Sequence, residues 1–341
     1  MSLTAVLMND TRGHAHFGCQ RVMRVIESNL ESRGITVIAR SLVRNDWEAD
    51  RAFLDAASKC DVIVINGEGT LHHGASHGEK LLRIAAHPVR AGKPVALINA
   101  IYQENPEHWR RYLDGIDLIS PRDSWSAAAL REATGREIGH VPDLSMAEGF
   151  HPAADTSART ILTIGESVLR DTRRELIATF RKRPDTYFLP IVGTIKSHKL
   201  RLPQPLRALR KVYVELDSAI FKARNRRALF AQSETEYVDA LLRSTLHVSG
   251  RFHAICFALT TKTPFVAFSS NAWKIEALFE DMGIDKRRLV PSDQVDQLLS
   301  VPAALKFEPE EMLRIERAMA VGAQAASETF DRIAELAQLK R

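Results

Sequence analysis

Apolar runs and helical spacings alternate along the first 150 residues. An apolar run at 5–8 is followed, after a polar loop, by helical spacing over 19–32 and a stop at Arg33-Gly34. A second strand is predicted at 35–39, a helix at 46–59 and a continuous apolar strand at 61–65. The alternation continues with a helix at 80–91, a strand at 94–98, a helix at 107–113 and a strand at 118–119. A helix at 124–133 and a short strand near His140-Val141 complete this half. The polar, proline-containing stretch 150–157 reads as a linker, after which the pattern restarts. Strands are predicted at 160–164, 187–192, 246–248 and 264–268, and helices at 171–180, 234–243, 253–259 and 274–282, with a long terminal helix at 309–339. Apolar strands separated by helices imply parallel sheets covered on both faces. The expected fold class is α/β, with two Rossmann-like βα domains facing a cleft, 1–150 and 151–341.

The 341 residues suit two domains, and 45% hydrophobic with 26% charged residues excludes a disordered chain. Cys19, Cys60 and Cys256 are an odd number without CxxC spacing, which excludes a disulfide framework and a thiolate zinc motif. No apolar run approaches the roughly 18 residues of a membrane span. The first residues lack a basic region and a cleavage site, so a cytoplasmic chain that starts with a strand is expected.

The net charge is +5 and unevenly placed. Ten Lys or Arg against Glu215 and Asp217 make the segment 196–227 +8, which leaves −3 for the remainder. Within it Leu206, Leu209, Tyr213, Leu216, Ile220 and Ala223 recur at helical steps. One reading is a solvated helix with a basic outer face; the other is a patch for an anionic membrane surface or a lipid-linked substrate. No zinc finger, RNP-like strand or RGG tract points to nucleic acid.

In parallel sheets ligands bind beyond the carboxyl ends of the strands, so the segments after each strand hold the candidate chemistry. After 61–65 comes Asn66-Gly-Glu-Gly-Thr-Leu-His-His-Gly74, read as a glycine-rich turn that places Glu68 at a cleft edge. There Gly67 and Gly69 let backbone amides approach a ligand, beside Asn66, Thr70 and His72. A plain glycine turn explains the same residues without function. His72 and His73 are adjacent, so their rings are expected to point apart and not to share a metal. The loop 9–18 carries Arg12, His14 and His16 before a helix, a plausible anion site; alternatively Asn9, Asp10 and Thr11 only turn the chain. In the second half Val248-Ser-Gly-Arg-Phe-His-Ala254 opens a helix, with Gly250 before Arg251, and His253 in the first turn. Arginine offers a planar fork to carboxylate or phosphate, and histidine exchanges protons near neutral pH; a buried salt bridge and a structural histidine are the bland alternative. Ser270, Asn271 and Lys274 follow strand 264–268, next to the first set if the two strands pair.

The order of these blocks resembles the polysaccharide pyruvyl transferase family. The resemblance rests on Asn66–Gly69, Ser120-Pro-Arg-Asp-Ser124 with Arg122, Pro142-Asp143, Ser249-Gly-Arg-Phe-His-Ala254 and the block 271–278, and it spans the chain to about residue 285. It implies a GT-B-like fold with an acceptor side in the first domain and a donor site in the second. It also implies phosphoenolpyruvate as donor, a cell-surface or lipid-linked glycan of exopolysaccharide or capsule biosynthesis as acceptor, and a pyruvate ketal as product. On that basis His253 is the acid, Arg251 and Lys274 hold the donor's anionic groups, and Glu68 is the base or sugar-hydroxyl partner. The scheme requires no metal or organic cofactor, and places the enzyme in the cytoplasm or at the inner face of the plasma membrane. The alternatives are a GT-B-like glycosyltransferase using a nucleotide-activated sugar, such as a CMP-linked sugar acid like Kdo, and a non-enzymatic scaffold at the membrane.

Overall fold

Five parallel strands form the first sheet: β1 (Leu3–Asp10), β2 (Ile35–Leu42), β3 (Val62–His72), β4 (Val95–Gln103) and β5 (Leu118–Pro121), in the order β2-β1-β3-β4-β5. The computed structural model describes residues 2–194 and 203–339. β4 is buried at every position, whereas the edge strand β2 alternates between buried and exposed residues. Side chains alternate across a strand, so β1 sends Val6 and Met8 to one face and Leu3, Ala5 and Leu7 to the other. The first face is covered from α2 (Arg51–Lys59), α3 (Ser76–Leu82), α4 (Arg110–Leu113) and α5 (Ser124–Thr134), with Trp47 and Trp109 fully buried. The second face takes α1 (Phe17–Ser32) through Val22, Met23, Ile26 and Leu30.

The second sheet has four parallel strands, β6 (Ile161–Ser167), β7 (Thr186–Phe188), β8 (Ser244–Gly250) and β9 (Phe265–Ala267), in the order β7-β6-β8-β9. Around it lie α6 (Arg170–Lys182), α7 (Gln204–Arg224), α8 (Glu234–Leu242), α9 (Phe252–Thr260), α10 (Lys274–Met282) and α11 (Val295–Leu299). The terminal helix is α12 (Pro309–Gln338). Both orders reverse direction beside the first strand of the sheet. The β1/β3 and β6/β8 junctions are therefore the switch points at which open α/β sheets bind ligands.

The chain divides into two compact units, Met1–Gly13 with Val22–Glu148 and Arg317–Arg341, and His14–Arg21 with Gly149–Glu316. The division falls at 148/149, just ahead of the stretch 150–157, and two segments change sides relative to the expected 1–150 and 151–341. Residues 14–21 belong to the second unit, because Phe17 packs with Leu189, Ile191, Tyr237 and Phe257. The end of α12 belongs to the first, where Ala326, Phe330, Ile333 and Ala337 close the second face of its sheet.

Four local expectations need correction. The helix expected at 80–91 is a short α3 followed by 3-10 turns, because Pro88 cannot continue it. Residues 140–141 form no strand; Val141 only donates a backbone bond to Pro121. The glycine-rich turn at 66–74 is mostly strand, since β3 runs on to His72 with a register shift between Glu68 and Leu71.

The basic helix differs most. Its first residues, 196–202, lie outside the described residues, and α7 occupies Gln204–Arg224 of the rest. Its apolar stripe does not face the core. The helix is held by buried Val214 and Ser218 and by Phe221, whose ring joins Phe188 and Phe230. That aromatic cluster outcompetes the stripe, and Leu206, Leu209, Val212, Tyr213, Leu216 and Ile220 are left between 47% and 67% exposed.

Candidate active site

At the β1/β3 switch point three buried amides meet. Asn9 donates from Nδ2 to the carbonyl of Asn66 (2.7 Å) and to Thr70 Oγ1 (3.1 Å). Asn66 donates to Glu68 Oε2 at 3.3 Å, and Asn99 donates to Asn66 Oδ1 at 3.4 Å. Asn9, Glu68 and Asn99 all have positive φ, at 65°, 37° and 55°. Non-glycine residues seldom hold that conformation, and such strain concentrates at functional sites. The two glycines beside Glu68 differ. A Cβ on Gly67 would lie 2.4 Å from that of Ala100, so this glycine permits the close approach of β3 and β4, while Gly69 is exposed with open space around it.

The other candidates of this unit are placed as follows. Arg12 forks onto two carboxylates, Asp10 (2.6 Å) and Glu27 (2.8 Å). Arg122 lies inside the unit, its Nη1 3.1 Å from Asp143 Oδ2. Asp143 also accepts from the backbone of Ser145, so the pair ties the end of β5 to the turn at 144–146. The rings of His72 and His73, expected to point apart, meet edge to face with centroids 5.1 Å apart. His73 has φ of 52°, which breaks strand alternation, and its Nδ1 lies 2.8 Å from Glu104.

At the β6/β8 switch point the chemistry is ionic. Ser167 is in register with Gly250, and Ser249 Oγ donates to the carbonyl of Glu166 at 3.2 Å. Arg251 follows as the N-terminal residue flanking α9, and its guanidinium lies along the Glu166 carboxylate. Nη2 to Oε2 and Nε to Oε1 are both 2.8 Å. Glu166 is almost fully buried and Arg251 is partly open to solvent. Behind the pair, burial and the charge of Glu166 hold the Tyr237 hydroxyl well above its ordinary range. Burial alone pushes His247 down to about 3, so that ring stays neutral, its Nδ1 2.9 Å from Thr163 Oγ1.

His253 occupies the first turn of α9, which abuts the first turn of α1. A Cβ on Gly18 would lie 2.3 Å from His253 Cβ, so only glycine lets the two helix starts approach this closely. His16, just before α1, meets the His253 ring edge to face at 5.2 Å. Two helix N-termini thus converge on a buried pair of imidazoles, an arrangement that favours anions. Cys19 completes the corner: ligand atoms of His16, Cys19 and His253 all lie within 4.8 Å of one another. Two imidazoles and a thiol are a zinc-type donor set, and these are the residues of the described chain able to hold a metal. β8 and β9 do pair, in parallel, so the polar segment after β9 follows a neighbouring strand. In it Ser270 Oγ (3.2 Å) and Lys274 Nζ (2.8 Å) both donate to Asn271 Oδ1.

Sequence reading did not single out Glu166, Asn99 or Cys19 for this chemistry. Two of them carried a signal. Gly165-Glu166 repeats the Gly67-Glu68 step at the end of an apolar strand, and Asn99 interrupts the apolar run 95–101. Nothing in the sequence foretold that Cys19 and His253 would meet, because their contact depends on the packing of α1 against α9.

Comparison with known proteins agrees with this architecture. UDP-N-acetylglucosamine 2-epimerase from Rickettsia bellii superposes over 98% of each chain with a TM-score of 0.57 and 12% identity. A putative UDP-N-acetylglucosamine 2-epimerase from Listeria monocytogenes covers 96% of this chain and 95% of its own, with a TM-score of 0.55 and 10% identity. AviGT4, a glycosyltransferase involved in avilamycin A biosynthesis, superposes over 98% of each chain with a TM-score of 0.51 and 12% identity. At such low identity these likenesses establish the fold alone, two Rossmann-like domains of the GT-B type. No curated protein matches the chain in sequence. The family model for polysaccharide pyruvyl transferases matches residues 21–271, which include β3, the β6/β8 switch point and the Gly-Arg-Phe-His block, and the chain therefore belongs to the polysaccharide pyruvyl transferase family, a family of transferases.

Proposed function

We propose that this transferase moves pyruvate from phosphoenolpyruvate onto two hydroxyls of a cell-surface or lipid-linked glycan, forming a ketal and releasing inorganic phosphate. The observation that carries this reading is the position of Arg251 and His253, flanking and within the first turn of a helix at the β6/β8 switch point, inside the matched family region. The donor carries a carboxylate and a phosphate. Arg251 offers it a planar fork, Lys274 a second cation, and the start of α9 its unpaired backbone amides. His253 delivers a proton to the methylene carbon of the donor, which becomes the methyl group of the ketal. Positive charge then develops at the carbon bearing phosphate. One acceptor hydroxyl adds to that carbon, the carbon–oxygen bond to phosphate breaks, and the second hydroxyl closes the ketal. Two hydroxyl protons are lost, and Glu68 is the base assigned to them. The amides of Asn9, Asn66 and Asn99 around it suit sugar hydroxyls, which both donate and accept.

Glu166 enters this scheme as a positioning residue, because it fixes the plane of the Arg251 guanidinium. The reading is tested by incubating the protein with phosphoenolpyruvate and a polysaccharide or lipid-linked oligosaccharide acceptor. Inorganic phosphate and a product heavier by one pyruvate ketal are expected in equal amounts. Release of a nucleotide from a CMP-, UDP- or GDP-sugar, with no reaction from phosphoenolpyruvate, would replace it with the glycosyltransferase reading.

A further inference from the structure

Helix α7 shows the surrounding water an unusually apolar face, and its spacing specifies what covers it. Leu206, Leu209, Tyr213, Leu216, Ile220 and Ala223 follow one another at steps of three and four throughout. That is the a and d pattern of a coiled-coil seam, and it persists over the whole 21-residue helix. The helix is anchored to its own unit on the opposite side, by Val214, Ser218 and Phe221, so the seam is presented outward. The seam is widened on one flank by Val212 and Ala219, a breadth that one facing helix covers.

The flanking charges select the partner. On one side of the seam Arg210, Asp217 and Arg224 succeed one another every seven residues, and on the other stand Pro205, Val212 and Ala219. If a second copy of α7 is laid antiparallel, Leu206 faces the partner's Ala223, Leu209 the partner's Ile220, and Tyr213 the partner's Leu216. In that register Arg210 lies beside the partner's Asp217 and Asp217 beside the partner's Arg210, so two opposite-charge pairs form by symmetry. Val212 meets the partner's Ala219 on the other flank. A parallel pair has no such match, because each Arg210 would then stand beside Val212 or Pro205. We infer that α7 is a homodimerisation helix, pairing antiparallel with α7 of a second copy about a two-fold axis between Tyr213 and Leu216. Such an interface is isologous, the commonest kind in soluble oligomers.

Sedimentation equilibrium of the full chain tests this. The expected mass is twice the 38.2 kDa of one chain. Leu216→Glu alters a solvent-facing residue, so the fold is retained, and its effect counts twice by symmetry. It should weaken the dimer by about 100-fold or more. Arg210→Asp and Asp217→Arg should each weaken it by roughly 10-fold, and the double reversal R210D/D217R should restore it. A monomer throughout the micromolar range, a dimer indifferent to Leu216→Glu, or a double reversal no better than the single ones would each overturn the inference. So would a monomeric protein that sediments with phosphatidylcholine vesicles containing phosphatidylglycerol and loses that binding in Leu216→Glu, which would make the covering partner a membrane.

Discussion

At the β1/β3 switch point the converging side chains are three amides and a carboxylate, whereas at the β6/β8 switch point they are an arginine–glutamate pair and two imidazoles. A Gly-Glu step recurs in the two places, within β3 in one and near the end of β6 in the other, each in a sheet whose order reverses beside it, although only Glu68 has positive φ. The chemistry differs in a way that the proposed reaction requires. Amides hydrogen-bond neutral hydroxyls without a large desolvation cost, while a doubly anionic donor needs cations and helix N-termini. Under the proposed reaction the first unit would hold the sugar and the second the anion.

Substitutions on each side sharpen that contrast. The largest effect is expected from His253→Ala, which should lower kcat by about 10²–10⁴-fold while leaving phosphoenolpyruvate binding measurable by calorimetry. Unchanged turnover would remove His253 from the chemistry. Arg251→Ala should act on binding instead and raise the donor dissociation constant by roughly 10–100-fold, as expected for lost hydrogen bonds to a charged group. Glu166→Gln keeps the shape but loses the charge that orients Arg251. It should raise the donor KM by about 10-fold with little change in kcat, and Glu166→Asp should recover part of the loss. If these changes altered only the acceptor KM, the assignment of the two switch points would be reversed.

A smaller effect concerns stability. His247 holds its proton only below about pH 3 in the folded protein, against an ordinary value near 6.5 in the unfolded chain. Between these values the unfolded state binds the extra proton, so stability falls as pH drops through this window. The contribution at pH 5 is about 2 kcal/mol relative to pH 7.5. Chemical denaturation at the two pH values should show it, and a His247→Asn variant should show a pH dependence shallower by that amount.

Much of the fold was readable because central strands begin with uninterrupted apolar runs, 62–65 in β3 and 95–98 in β4, which only a sheet covered on both faces can bury. Lys274–Met282 was readable to the residue, since Gly283 in the left-handed region ends that helix. The site was visible in part. Arg251 and His253 stand directly after β8, and Asn66 and Glu68 directly after the apolar run 62–65, where ligand chemistry is sought. What escaped was set by tertiary packing. The bridge from Arg251 to Glu166 spans 85 positions, and the meeting of Gly18 with His253 depends on two helix starts packing together. The outward face of α7 escaped for the same reason, because the contact of its Phe221 with Phe188 and Phe230 elsewhere in its unit decides which side of the helix is buried.

The most direct test of the central claim is thermal stabilisation of the full chain by phosphoenolpyruvate, run beside CMP, UDP and GDP and repeated with Arg251→Ala. A ligand present at 100 times its dissociation constant stabilises by about 2.7 kcal/mol, a readily measured rise in Tm. The account predicts stabilisation by phosphoenolpyruvate that falls to about 0.4–1.4 kcal/mol in the variant. Stabilisation by one nucleotide alone, or a phosphoenolpyruvate effect undiminished by the loss of Arg251, would contradict it.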